Sequence, residues 1–423
     1  MSATSPRPSY AAVLRIPYAR RTFAAVLVGR LSYGMVPIAV LLAVSRATGS
    51  YAVAGTVMAL FGATSVFLSP ARAALVDRYG PRRALLPMAS LYAVLLGVLA
   101  VASWRPGAPG PLLGAVAVAA GACTPPLGPT MRTVWSELAA SDAGLLRRAY
   151  SLDGVAEELL FVSGPLVVGG VVQFAAPAAA VVLGAVLVVA GTFGFVTSPA
   201  VARMPGSGAA PKEGAGPRSR RPAAGLVAPV VAAGGVGLSL GALDLLVLAF
   251  AEQRGHGDDV VAWIFAALSA GSAVGGLAYG VVEWRSGARA RLALLTAGLG
   301  VTLAAAGLAP GLAVLTGAVV CAGLFVAPAL TTAYLVADAS APPDARTRSG
   351  AWVNTAVNAG LSAGAAGSGL LVARFSPSLG FALAGGTALV TAFAVAVAAT
   401  GRRRARAAEG AVEEDAVEER AGA

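Results

Sequence analysis

Five charged residues lie inside long apolar stretches of this 423-residue chain: Arg30, Asp153, Glu157, Glu158 and Asp244. A charge at the centre of a membrane-spanning helix costs about 2.5–3.5 kcal/mol, so such residues face an aqueous cavity, pair with one another, or both. Asp153 and Glu157 are four apart and share a helix face. Glu157 and Glu158 are adjacent, about 100° apart around the helix, and cannot point the same way. The spacing puts Asp153 near a helix start, where the macrodipole favours a carboxylate, which reads as a structural role. One of the two glutamates is then the group able to bind and release a proton, tuned by Arg30; the plainer reading is a static buried ion pair. Asp244 falls near the far end of its stretch, as a second protonation or cation-attracting site or simply a carboxylate in external water. Asn354 and Asn358 offer uncharged polar groups that could bind a ligand or link helices.

Other chemistry has little to work with. His256 is the only histidine, and Cys123 and Cys321 sit in different halves of the chain without metal-ligand spacing, reading as small buried hydrophobes. No HExxH or GxSxG motif occurs, so a zinc or serine hydrolase lacks its constellation. No cofactor or metal is expected.

The elements that must position these residues are about twelve apolar stretches, at 22–45, 51–70, 84–104, 111–131, 151–174, 177–197, 224–251, 260–282, 290–308, 311–335, 350–373 and 377–400. Each is about as long as the ~20 residues that cross a bilayer core. Charged residues make up 12% of the chain and hydrophobic ones 57%, with mean hydropathy +0.76. Of the 31 cations, 26 fall in alternate gaps, so the positive-inside rule makes those gaps and both termini cytoplasmic. The net charge of +11 then reports topology and attraction to anionic lipid, and no nucleic-acid surface remains. The first stretch is too long for a signal peptide. Abundant Arg with a single Lys points to a high-GC bacterial genome, and hence a bacterial plasma membrane. The expected organisation is a cytoplasmic tail (1–21), a six-helix bundle (22–200), a Gly/Pro/Arg-rich cytoplasmic linker (201–223), a second six-helix bundle (224–400) and a cytoplasmic tail (401–423).

The two bundles repeat each other. Leu31-Ser32-Tyr33-Gly34 recurs as Leu238-Ser239-Leu240-Gly241, Pro129–Trp135 as Pro328–Tyr334, and Asp153 with Glu157 falls on Asn354 with Asn358. Parallel repeats of this kind pack about an axis normal to the membrane. Between the second and third stretches, Asp77-Arg78-Tyr79-Gly80-Pro81-Arg82-Arg83 matches the signature loop of a known family, with Ala73 and Pro81 as departures. The chain resembles the major facilitator superfamily over essentially its whole length, and in particular its Ala- and Arg-rich actinobacterial members of drug- and metabolite-efflux type.

That resemblance implies an all-α membrane protein of twelve helices in two pseudo-symmetric six-helix bundles. It implies a gating role for Asp77, Arg78, Arg82 and Arg83, with Gly80 permitting the tight turn. Ser163-Gly164-Pro165, followed by Gly169 and Gly170, is similar to the Gly-Pro motif of drug–proton antiporters in this superfamily, with Val168 at a usual Gly position. Gly164 and Pro165 would bend a rocking interface, and Gly271, Gly275, Gly276 and Gly280 offer a matching face. The fourth stretch, ending at Met131, lacks the mid-helix Arg that such antiporters often use, with Arg132 only at its end. The implied pocket is lined by the first, fourth, seventh and tenth helices, with Trp135 and Tyr334 near its inner mouth. The expected activity is proton-coupled export of a small amphipathic molecule by a monomer in the bilayer; the alternatives are a proton-coupled importer and a non-transporting membrane sensor or enzyme.

Overall fold

In hydrocarbon, a backbone N–H or C=O has no water to bond, so apolar stretches of this length must close their hydrogen bonds within helices. The computed structural model describes residues 9–204, 206, 225–255, 258–372 and 375–398, and every regular element among them is helical. The first eight residues, His256, nearly all of the linker and the C-terminal tail lie outside them.

The elements of the first half are α1 (Tyr10–Arg15), α2 (Ala19–Thr48), α3 (Tyr51–Phe67), α4 (Ser69–Tyr79), α5 (Pro81–Ala102), α6 (Gly110–Cys123), α7 (Leu127–Leu138), α8 (Ala143–Phe174), α9 (Pro177–Val196) and α10 (Pro199–Ala202). The second half has α11 (Val227–Glu252), α12 (Asp258–Val281), α13 (Ala288–Ala306), α14 (Leu312–Ser340) and α15 (Arg346–Val372), then α16 (Pro377–Ala398). Ten of these crossings are long and apolar enough to span a bilayer, with α6 and α7 taken as one, and α3 with α4 makes an eleventh, bent by 42°. The remaining expected crossing is α15. It is 27 residues long but carries Arg346, Arg348, Asn354 and Asn358, and it packs most extensively on α11.

Two spans are broken at related places. The second turns at Leu68, before Pro70, and the fourth turns at Thr124-Pro125-Pro126, where two prolines remove donors from the ladder. Arg72, counted in the sequence as a loop cation, is only 6% exposed. Its guanidinium donates to the carbonyls of Thr64 and Ser65 at the end of α3 and of Gly121 (2.9 Å) and Ala122 (3.2 Å) at the end of α6. One cation thus satisfies the orphan carbonyls of both breaks. Tyr33 donates to Pro125 O and completes the joint.

Burial divides the molecule by level. At the ends carrying the basic loops, one core draws on both halves, with Phe23, Met131 and Trp135 meeting Leu292, Tyr334 and Val353. Toward the opposite face there are two separate cores. One holds Tyr92, Leu96 and Val181, the other Leu243, Leu299 and Phe381. The halves are therefore joined on the basic side and parted on the other. The expected burial of the cysteines is not met: Cys123 is half-buried and Cys321 exposed.

Candidate functional site

Four charges meet where α2, α7 and α8 approach. Arg30 Nη1 lies 2.7 Å from Asp153 Oδ1 and Arg30 Nη2 2.9 Å from Glu157 Oε2. Arg132 Nε lies 3.2 Å from Asp153 Oδ2, and Arg132 Nη2 reaches the same Glu157 oxygen. Each carboxylate bridges both guanidiniums, giving a closed ring of alternating charge with no net charge. Arg30 is 3% exposed, Arg132 5% and Asp153 0%, while Glu157 keeps 28% of its side chain open. Geometry this close is what lets mutual attraction offset the desolvation of four buried ions. Gly128 lies beside the ring, where a Cβ would stand 3.9 Å from Arg132 Nη1 and 4.0 Å from Arg30 Cζ.

Local sequence explains how the ring assembles. The break at Pro125-Pro126 lets the fourth span resume as α7, so Arg132 sits in its middle and not at a membrane edge. That corrects the reading of the fourth stretch as ending at Met131 without an internal Arg. Helix α8 begins at Ala143, with Asp142 as its N-cap. Asp153 is therefore about three turns inside the helix, and its place near a helix start is corrected too. Its stabilising partners are two guanidiniums rather than a macrodipole.

The second half touches this ring through Tyr334. The Arg132 guanidinium lies 3.7 Å from that ring's centroid, a cation–π contact across the seam. Arg132 Nη1 is buried without a hydrogen-bond partner. Trp135, expected at the pocket mouth, is instead fully buried and packs on Phe23 at 5.5 Å inside the shared core.

Glu158 points elsewhere, as its angular offset requires. Its Oε1 accepts from Ser272 of α12 in the second half, and its Oε2 is buried without a partner. No cation pairs with it among the described residues. Adjacent glutamates thus occupy opposite environments, one clamped by two guanidiniums and one held by a hydroxyl.

With this geometry in place, the comparisons with known proteins become informative. The sequence profile of the Major Facilitator Superfamily matches residues 226–421. The fold of the whole chain is similar to that of the human organic anion transporter MFSD10 (TETRAN), at TM-score 0.68 and 16% identity over 90% of this chain and 99% of the other. The second half of the chain thus matches the superfamily's profile, and the chain has the fold of its transporters. The same fold likeness holds for a bacterial homologue of the iron transporter ferroportin in an outward-facing state, at 0.66 and 14% identity over 90% and 97% of the two chains. It holds also for the E. coli fucose:proton symporter FucP, at 0.65 and 16% identity over 92% and 99%. A search of curated proteins gave no match. These likenesses establish the fold of the chain, and the family match covers its second half.

Asp77, near the end of α4, bonds across the seam to the second half. Asp77 Oδ1 accepts from the Thr347 N–H (3.1 Å) and Oδ2 from the Arg348 N–H (2.9 Å), capping the start of α15 from the opposite half. Thr133 and Thr347 bond across the same level at 3.1 Å. Gly80 has φ +83°, which favours glycine, and a Cβ there would stand 3.2 Å from Gly206 N. Arg78, Arg82 and Arg83 are exposed; Arg78 lies over the Tyr79 ring at 5.2 Å, and none of the three reaches across in an ion pair among the described residues.

Gly164 packs against the Gly34 backbone, a crossing of α8 and α2 within the first half, and Pro165 lies inside the continuous α8. Of the expected partner face, Gly271 and Gly275 meet the α14 backbone in their own half, whereas Gly276 approaches Val155 of α8. Asp244 is exposed on α11. Asn358 donates to Asn354 O of its own helix at 2.8 Å, so neither asparagine joins the charge ring. Sequence reading missed Arg132, Arg72 and Ser272. The prolines at 125 and 126 were the available signal for the first, while Ser272 gave none.

Proposed function

We propose that this transporter couples protons to the export of a small amphipathic molecule, with Glu158 as the proton-binding group. The observation that carries this reading is the contrast between the two glutamates. Glu157 has two guanidinium partners and is best kept ionised, whereas the half-buried Glu158, with no ion pair among the described residues and its Oε2 unpartnered, is held most cheaply as the neutral acid. Glu158 also joins the two halves through Ser272, so its charge state bears on whether α8 and α12 can stay in contact. The neutral ring of Arg30, Arg132, Asp153 and Glu157 is then the rigid body against which Glu158 is positioned.

In this reading the basic loops and both termini are cytoplasmic in a bacterial plasma membrane, supported by the distribution of arginine. The seam closed by Asp77 is the inner gate, and the parted face opens outward. Protons enter at Glu158 from outside and leave when the halves rock. Asp244, exposed on the outer part of α11, draws cations toward the mouth. Asn354 and Asn358 contribute polar groups to the substrate path, and Gly164 and Pro165 set the angle between α2 and α8. The small residues and low aromatic content suit a flexible apolar substrate. Export is favoured by the Ser163-Gly164-Pro165 resemblance.

The test is proton flux in proteoliposomes with a compound library. Glu158→Gln should retain folding and abolish the dependence of transport on the pH gradient. Glu157→Gln should lower thermal stability. Full gradient-driven transport at every pH in Glu158→Gln ends the proposal. Substrate entering together with protons replaces export by import.

A further inference from the structure

A second group of arginines, outside the charge ring, forms no ion pair among the described residues. Arg147 and Arg148 lie near the start of α8 in the first half, and Arg291 lies in the first turns of α13 in the second. Arg148 is 3% exposed and Arg291 8%, about as buried as Arg30 and Arg132. The latter pair holds two carboxylates each. Arg147, Arg148 and Arg291 form no ion pair among the described residues, and the Nε of each is buried without a hydrogen-bond partner.

The three belong to one place. Arg147 is within electrostatic reach of Arg148, Arg291, Tyr279 and Glu283, and the Arg291 guanidinium lies 5.3 Å from the Tyr279 ring and 5.5 Å from the Trp284 ring. Tyr10 of α1 is within electrostatic reach of Arg147 and Arg148 and donates to Leu277 O of α12 at 2.6 Å. Gly280 makes room for it, since a Cβ there would strike the Tyr10 hydroxyl. The nearby carboxylates are otherwise placed: Glu283 is exposed, and Asp142 Oδ1 accepts from the Gly144 and Leu145 N–H groups at 2.7 and 3.0 Å. Three like charges from both halves thus come together at the seam without a buried anion among the described residues, and their repulsion opposes the closed arrangement.

We propose that this cluster binds a phosphate-bearing anion that bridges the two halves on the basic-loop side. Guanidiniums recognise phosphate oxygens through paired N–H donors, and three of them supply more than one such fork. Two sources carry this chemistry: the headgroup of an anionic lipid, reaching the cluster between α8 and α12, and free phosphate. Basic clusters at the cytoplasmic ends of membrane helices attract anionic headgroups. An occupied site fastens the basic-side seam at a second point, separate from Asp77 and independent of any role of Glu158.

The experiment measures thermal unfolding of the full chain in detergent micelles with added phosphatidylglycerol, phosphatidylcholine or inorganic phosphate, alongside native mass spectrometry of bound lipid. Phosphatidylglycerol should raise Tm and remain bound where phosphatidylcholine does neither; a rise with inorganic phosphate alone assigns the site to the free ion. Each of Arg147→Gln, Arg148→Gln and Arg291→Gln should weaken the response about fivefold. Without anion the same variants should be at least as stable as the parent, because repulsion is relieved. Arg147, which is half-buried, provides a variant whose folding is not in question. No response to either probe, or a loss of stability in the variants that is the same with and without anion, overturns the proposal. So does a response that appears only after residues 409–419 are deleted, since the acidic tail would then be the occupant.

Discussion

The two halves share a packing plan and differ in charge. In the first, a Cβ on Gly34 would run into the carbonyl of Leu160; in the second, a Cβ on Gly241 would run into that of Leu361, the repeat-related pair. The crossing of α2 with α8 is thus repeated by that of α11 with α15. The chemistry on it is not. Where the first half places Arg30, Arg132, Asp153 and Glu157, the second has Gly237, Thr331, Asn354 and Asn358. Gly237 is pressed against the Val357 backbone, so the space taken by the Arg30 side chain in one half is closed by helix contact in the other. The close helix contact recurs in both halves, whereas the closed ring of buried ion pairs occurs in the first half alone among the described residues, with the second half placing Tyr334 against that ring, Ser272 against Glu158 and the α15 N-terminus against Asp77.

The difference is sharpest if partners are removed from the ring. Arg132→Gln leaves Asp153 and Glu157 sharing one guanidinium and should destabilise by about 3–5 kcal/mol, read as a lowered Tm and reduced expression. Restoration by adding Glu157→Gln would show that the stranded charge, not lost packing, was the cause. Next in size, Gly34→Ala and Gly241→Ala should each cost about 1–3 kcal/mol, because the helix backbones must move apart. Unequal losses in thermal unfolding would break the claim that the two crossings are equivalent.

A smaller change is expected at the seam. Asp77→Asn keeps one acceptor oxygen but loses the charge facing two N–H groups, an effect of about 1 kcal/mol. It should raise labelling of a cysteine placed at Thr133 by a membrane-impermeant thiol reagent, and unchanged labelling would deny Asp77 its gating part. Smallest of all, Asn358→Ala should alter Tm by the equivalent of no more than about 0.5 kcal/mol, since its amide bonds only its own helix. A large loss of stability there would mean that the second half has an internal polar centre after all.

Much of this comparison could be read along the chain. The spans, the alternate basic gaps and the repeat were legible because hydropathy and charge are summed locally, over ~20 residues at a time. The site was legible only in part. Arg30 was matched to one of the two glutamates without deciding between Glu157 and Glu158, and Arg132 was placed only at the end of its stretch, because the prolines at 125 and 126 break the helix without ending the crossing. Arg72 was misplaced for the same reason at the Leu68 bend. Asp77 was identified by its motif, while its acceptors' partners, two backbone N–H groups about 270 residues away, had no sequence signature.

The amino-acid sequence by itself determined the helical class, the family resemblance and the alternate basic gaps, because the cost of placing a residue in a bilayer depends on that residue and its near neighbours. The tertiary structure alone decided that Arg132 joins Arg30 in holding the same two carboxylates, and that Glu158 turns away to Ser272. Coulomb energy and hydrogen bonding depend on ångström-scale distances between segments far apart in the chain, and those distances exist only once the helices have packed.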